Sequence, residues 1–268
     1  MLKDITLGQY FPGNSFIHKL DPRTKLIVLV IYIVALFMAV NWVSYALMAA
    51  FLIACIKIST IPAKSFIRGM KPLAMILIFT GVLNLFFTTD GEILVDFWFI
   101  TITTAGLQRA VFMVVRILLL ICGTFLLTYT TSPISLTDGL EALMNPLKVI
   151  KVPVHELSMM MCIALRFIPT LIEETDKIMS AQKARGADFE SGTLMEKAKA
   201  LIPILVPLFI SAFRRADELA TAMECRCYQG GEGRTKMKLL RYSRWDFRAF
   251  IVSAFVLAAI CTLRTFGL

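Results

Sequence analysis

Residues 110–129 read AVFMVVRILLLICGTFLLTY. One charge, Arg116, interrupts an apolar run long enough to cross a bilayer, which takes about 20 mostly apolar residues. Working outward, residues 26–40, 45–58, 72–87 and 247–266 are further apolar runs that meet or approach that length. The 268-residue chain is 57% hydrophobic and 18% charged, with a mean hydropathy of +0.74. Soluble domains are roughly 45–50% apolar and about 25% charged. The fold class is therefore all-α: a polytopic membrane protein with about five transmembrane helices. No basic n-region, apolar run and small-residue cleavage site opens the chain. Residues 26–40 are thus expected to be a retained helix, not a signal peptide.

Charge gives an orientation. Lys57, Lys64, Arg68 and Lys71 cluster in one loop, whereas residues 88–108 hold Asp90, Glu92 and Asp96 and no Lys or Arg. Basic loops stay cytoplasmic. The expected topology is a multi-pass protein of the prokaryotic plasma membrane, N-terminus cytoplasmic and C-terminus outside. Trp98 is expected in the outer interface, in a short re-entrant or amphipathic piece. The net charge of +9 fits this loop bias better than nucleic-acid binding. Cys55, Cys122, Cys162, Cys225, Cys227 and Cys261 show no paired C-x-x-C spacing. Free thiols are expected, not a disulfide framework.

After Thr131 charges recur every few residues while apolar residues keep a helical period, the pattern of amphipathic helices. Ser135 and Asp138 resemble a capping box that starts a short helix. Pro153 opens a second helix running to Arg185, with Pro169 expected to kink it. Thr193 opens a third, interrupted by Pro203 and Pro207, that runs to about Arg226. Gly230-Gly231-Glu232-Gly233 breaks it. Three divisions follow: 1–131 with four spans, 132–244 as a cytoplasmic domain of about three amphipathic helices, and 245–268 as the last span. Residues 201–213 are apolar but about half a span long, so they are expected to lie against the membrane region or a partner.

A near-repeat sits in that cytoplasmic part. Asp176, Ala181 and Arg185 recur as Asp217, Ala222 and Arg226 at the same offsets. Each copy closes a helical pattern with an arginine. A cation at a helix C-terminus is favoured by about 0.3–1 kcal/mol through the helix dipole, which suffices for one arginine alone. Two copies in one register point to two matched partners. An arginine offers a rigid fork of donors to carboxylates or carbonyls, and an alanine one turn earlier lets a groove approach closely.

Other clusters read more simply. Glu173, Glu174 and Asp176 suit a solvated helix face, and Arg214-Arg215 with Asp217-Glu218 suits pairing along one helix. Arg116 is either a buried functional charge or a snorkelling one. Arg166 and Pro169 mark either a kinked helix with a solvated arginine or a bend that aims the helix at a partner. There is no G-x-x-x-x-G-K-[ST], H-E-x-x-H or G-x-S-x-G, so the chain is not expected to be an enzyme or to hydrolyse ATP alone. The spans lack the polar residues of a substrate path.

Ala164-Leu165-Arg166-Phe167-Ile168-Pro169 through Ala181-Gln182-Lys183-Ala184-Arg185-Gly186 resembles the T component of energy-coupling factor (ECF) transporters, the CbiQ-like family. Arg215-Ala216-Asp217-Glu218-Leu219-Ala220 through Ala222-Met223 and Arg226 does so too, as does Leu20-Asp21-Pro22-Arg23-Thr24-Lys25. The resemblance implies a transmembrane coupling subunit whose two Ala-Arg-Gly-type motifs each dock on one of two cassette ATPases. Ala184-Arg185-Gly186 matches fully. Cys225-Arg226-Cys227 keeps only the arginine, and cysteine suits a left-handed helix stop less well than glycine. It further implies an S component that binds a vitamin or a metal ion and reorients when ATP closes the ATPases. ATP and Mg would belong to the partners, with no cofactor or metal held by this chain. The competing readings are a permease subunit of an ordinary ATP-driven importer, a membrane-embedded enzyme and a non-transport membrane adaptor.

Overall fold

The computed structural model describes residues 10–87, 93–97, 100–189, 193–231, 233 and 239–265. Its helices are α1 (Pro22–Met38), α2 (Trp42–Ser59), α3 (Ala63–Met70), α4 (Ala74–Phe87), α5 (Thr104–Thr130), α6 (Pro133–Met144), α7 (Val154–Ala184), α8 (Leu194–Cys225) and α9 (Arg244–Thr265). Three-residue-per-turn segments at Lys71–Leu73 and Asn145–Ile150 join α3 to α4 and follow α6. An antiparallel hairpin of β1 (Ile93–Phe97) and β2 (Ile100–Thr103) precedes α5. The chain divides into two compact units: Gly8–Gly139 with Leu240–Leu268, and Leu140–Leu239.

In the first unit, α1 starts where Asp21 and Pro22 predict. The Asp21 carboxylate accepts a hydrogen bond from the Arg23 amide at 2.9 Å, and Pro22 supplies its fixed φ where no amide is needed. Tyr32, Leu36, Met48, Leu52, Leu119 and Tyr129 form the centre of the buried cluster. Gly123 is there because α1 and α5 touch: a Cβ would lie 2.7 Å from the Tyr32 ring. The Tyr32 hydroxyl donates to the Leu119 carbonyl at 3.0 Å, so the apolar contact carries its own register. Arg116 is a structural tie. It donates to the Tyr45 hydroxyl at 2.9 Å and to the Ala39 carbonyl at 3.1 Å, closing the end of α1 against α2. That satisfies a carbonyl the helix terminus leaves open.

Polar groups converge where α1 and α9 begin and α5 ends. Asp246 is 1% exposed. Its two oxygens accept from the Asp21 amide at 2.9 Å and the Ser243 amide at 2.7 Å. Lys25, also buried, donates to the Thr130 carbonyl at 2.8 Å and the Thr131 hydroxyl at 3.2 Å. Arg23 forms a two-pronged pair with Asp21 and lies 4.1 Å over the Tyr242 ring. The Leu20–Lys25 stretch is thus the clasp of this unit. Before it, His18 accepts from the Ser15 hydroxyl at 2.6 Å and donates to the Phe11 carbonyl at 2.9 Å. Burial holds its pKa below the ordinary 6.5.

Five helical runs are long and apolar enough to cross a bilayer: Trp42–Ser59, Ala63–Phe87, Thr104–Thr130, Val154–Ala184 and Arg244–Thr265. The number matches the sequence reading by length and composition. α1, at 17 residues, stands at the lower end of the span range, and α7 runs for 31 residues with Pro169 inside it. Departures are local. The basic loop holds α3, which buries Phe66 between exposed Lys64 and Arg68. The piece before α5 is a hairpin, not a re-entrant or amphipathic segment, because β-branched residues on both arms favour strands; Trp98 lies outside the described residues. Ser132, not Ser135, begins α6: its hydroxyl accepts from the Ser135 amide at 3.2 Å, leaving Pro133 at the first helical position.

Candidate functional site

α7 and α8 make up most of the second unit. Thr193 opens α8 with a full capping box: its hydroxyl accepts from the Glu196 amide and the Glu196 carboxylate accepts from the Thr193 amide. Pro169, Pro203 and Pro207 all lie inside continuous helix. The two helices are joined by Arg215, which donates to Glu174 at 2.6 Å and to the Ser211 hydroxyl at 3.5 Å. Arg215 therefore pairs across to α7, not along its own helix with Glu218 as the charge spacing suggests. Glu174 is half-buried in that pair. Glu173 remains exposed and Asp176 half-buried.

The two helix ends are built alike. At α7, the Gly186 amide donates to the Lys183 carbonyl at 3.0 Å and the Ala187 amide to the Gln182 carbonyl at 3.0 Å. At α8, the Cys227 amide donates to the Glu224 carbonyl at 2.9 Å and the Tyr228 amide to the Met223 carbonyl at 3.1 Å. This is the paired bond pattern of a left-handed helix stop. Gly186 has φ +87° and Cys227 φ +54°, so the cysteine takes the same stop as the glycine. Ser180 and Thr221, one turn after Asp176 and Asp217, each donate back to that aspartate's carbonyl, at 2.7 and 2.9 Å. The sequence repeat is thus a structural repeat in backbone, cap and hydroxyl.

Arg185 and Arg226 occupy the C-cap positions and both are exposed, as are Ala184, Gly186, Cys225 and Cys227. Ala181 and Ala222 are exposed one turn back, with Asp217, while Arg166 and Pro169 are exposed farther along α7. Neither capping guanidinium has a hydrogen bond or ion pair among the described residues. Glu174 and Arg215 stand at the same offset from Arg185 and Arg226. The bridge therefore joins equivalent points, each about 16 Å along its helix from the capping arginine. The spacing signal for this bridge was in the repeat itself, since Glu174 and Arg215 fall at matched positions. No disulfide joins any of the six cysteines, and Cys122 is buried. No group of three or more His, Cys, Asp or Glu that could hold a metal occurs among the described residues.

The caps allow a paired test. A left-handed backbone costs a residue with a Cβ about 1–2 kcal/mol. Cys227→Gly is expected to raise the protection of the last α8 amides against hydrogen exchange. Gly186→Ala, where a Cβ meets nothing within 4 Å, is expected to lower it at α7 by about 1 kcal/mol. Effects of the same sign at both ends would show that the stops are not equivalent.

The profile of the CbiQ family, described as cobalt transport protein, matches residues 13–237. The chain is similar to proteins named energy-coupling factor transporter transmembrane protein EcfT. That of Ruminiclostridium cellulolyticum is 54% identical, covering 92% of this chain and 92% of its own. That of Clostridium kluyveri is 55% identical over 97% and 96%. That of Bacillus subtilis is 50% identical over 97% and 98%.

Proposed function

The chain belongs to the CbiQ family of transporter membrane proteins, and we propose that it couples two cassette ATPases to a substrate-binding S component in an ECF-type importer. It is a multi-pass membrane subunit of a transporter. ATP and Mg belong to the partner ATPases, which supply hydrolysis. The substrate class is a vitamin or a trace metal ion, selected by the S component. In this reading residues 132–244 are cytoplasmic, with the N-terminus on the same side and the C-terminus outside.

One observation carries the proposal: two exposed arginines, Arg185 and Arg226, without a partner among the described residues, on identical helix stops at matched distances from the Glu174–Arg215 bridge. A single docking helix would leave the second copy without a purpose. Two equal ends suit the two subunits of an ATPase dimer, and their unequal flanks, Ala184 and Gly186 against Cys225 and Cys227, suit two different chains. Ile202, Leu205, Val206, Phe209, Ile210 and Phe213 form an exposed apolar stripe on α8 at helical spacing. That stripe fits the membrane or a membrane partner better than water.

Affinity purification of the tagged chain in mild detergent from its own host, with mass identification of the partners, tests the reading. Two cassette ATPases and a small membrane protein that binds a vitamin or metal are expected. A chain that comes alone, or with a complete permease, would overturn it.

A further inference from the structure

In the membrane unit α1, α2, α5 and α9 do not close on one another completely. Between them lies a groove of about 310 Å³, lined by Leu29, Phe51, Leu126 and Val252 among other apolar side chains and open at one side. Lys25 and Arg248 contribute the charged part of its wall. The ammonium of Lys25 already serves Thr130 and Thr131, so it adds positive field but few free donors. Arg248 is different. It is exposed and lies 4.5 Å over the Trp245 ring, which meets Phe16 edge-on at 5.2 Å. Phe16 also lines the groove, which places this pair at the mouth. Arg244 is one turn from Arg248 on the same face, and Arg241 precedes them; both are exposed. The nearby carboxylates do not neutralise this cluster at its surface. Asp246 is turned inward to the Asp21 and Ser243 amides, and Asp21 is engaged by Arg23.

We propose that this groove holds an anionic phospholipid, an acyl chain between the four helices and the phosphate at Arg248 and Arg244. The inference rests on the membrane location of the chain, not on the ATPase assignment. Apolar surface open to a bilayer fills with hydrocarbon, which any lipid supplies. The choice of an anionic one comes from charge complementarity: a cluster of arginines beside a span, with no exposed carboxylate among them, attracts negative headgroups. Trp245 and Tyr242 are the aromatic types found at headgroup level. Arg248 held over the Trp245 ring is ordered before the lipid arrives, which lowers the entropy cost of meeting a phosphate.

Trp245 reports on its own site. Replacing Trp42 and Trp98 with Phe leaves it as the sole tryptophan of the full chain. This protein is reconstituted in phosphatidylcholine vesicles containing a minor fraction of brominated phosphatidylglycerol, or the same fraction of brominated phosphatidylcholine. Brominated phosphatidylglycerol is expected to quench Trp245 severalfold more strongly. Arg248→Gln should abolish that preference by removing the phosphate contact. Ala54→Phe, which places a ring in the groove, should reduce it without touching the arginines. Equal quenching by the two lipids would overturn the proposal, as would a preference that survives in both variants. Neither result bears on docking of ATPases.

Discussion

Asp246→Ala is expected to destabilise the membrane unit by about 3–5 kcal/mol, the cost of removing one partner from a buried ionic arrangement. The aspartate is 1% exposed and accepts from two backbone amides, at the start of α1 and just before α9. Alanine leaves the buried Asp21 amide unpaired, at about 1–3 kcal/mol, and frees the part-buried Ser243 amide. It also removes an anion facing Arg23 and Lys25, so positive charge is left in excess where α1, α5 and α9 meet. Asp246→Asn keeps one accepting oxygen and should fall between the two. In a fixed detergent the alanine variant should unfold roughly 10 °C lower. A midpoint within about 2 °C of the unmodified chain would show that water enters this clasp.

The Leu20–Lys25 stretch stands out in the sequence through its family resemblance, yet its task as a clasp was not legible there. Its partners, Thr130 and Asp246, are more than a hundred residues away, and no periodicity connects them. What could be read was local. Apolar runs found the helices because a bilayer demands about 20 apolar residues in a row, and Asp21-Pro22 and Thr193 found helix starts because caps are local chemistry. The matched arginines were visible because a repeat needs no tertiary knowledge. Arg215 shows the opposite limit. Along α8 its neighbours offered Glu218, and only the packing of α7 supplied Glu174. Arg116 likewise had two readings until α1 and α2 brought the Ala39 carbonyl and Tyr45 hydroxyl to it. Pro203 and Pro207 misled in a third way, since α8 runs unbroken through both where the sequence suggests an interruption.

Charge reversal at both helix stops, Arg185→Glu with Arg226→Glu, is expected to abolish ATPase association and uptake while leaving the chain in the membrane. An arginine at the centre of an interface is commonly worth about 2 kcal/mol or more, so one substitution should weaken docking about 30-fold and two about 1,000-fold. A glutamate in place of each arginine adds repulsion wherever the groove supplies carboxylates or carbonyls. The helix ends themselves should persist, because the stops are backbone bonds made by the residues at 186, 187, 227 and 228 and neither guanidinium supports them. A glutamate beside a helix C-terminus costs only about 0.3–1 kcal/mol through the dipole. That separates loss of docking from loss of fold. Lys177→Glu makes the same charge change on an exposed residue of α7 away from the stop, and should leave assembly intact. The single reversals carry further information. If the two ends meet two different ATPases, each variant should lose one chain preferentially from the purified complex. A double variant that still assembles and transports like the unmodified protein would remove the arginines from the coupling mechanism and return the repeat to dipole compensation alone.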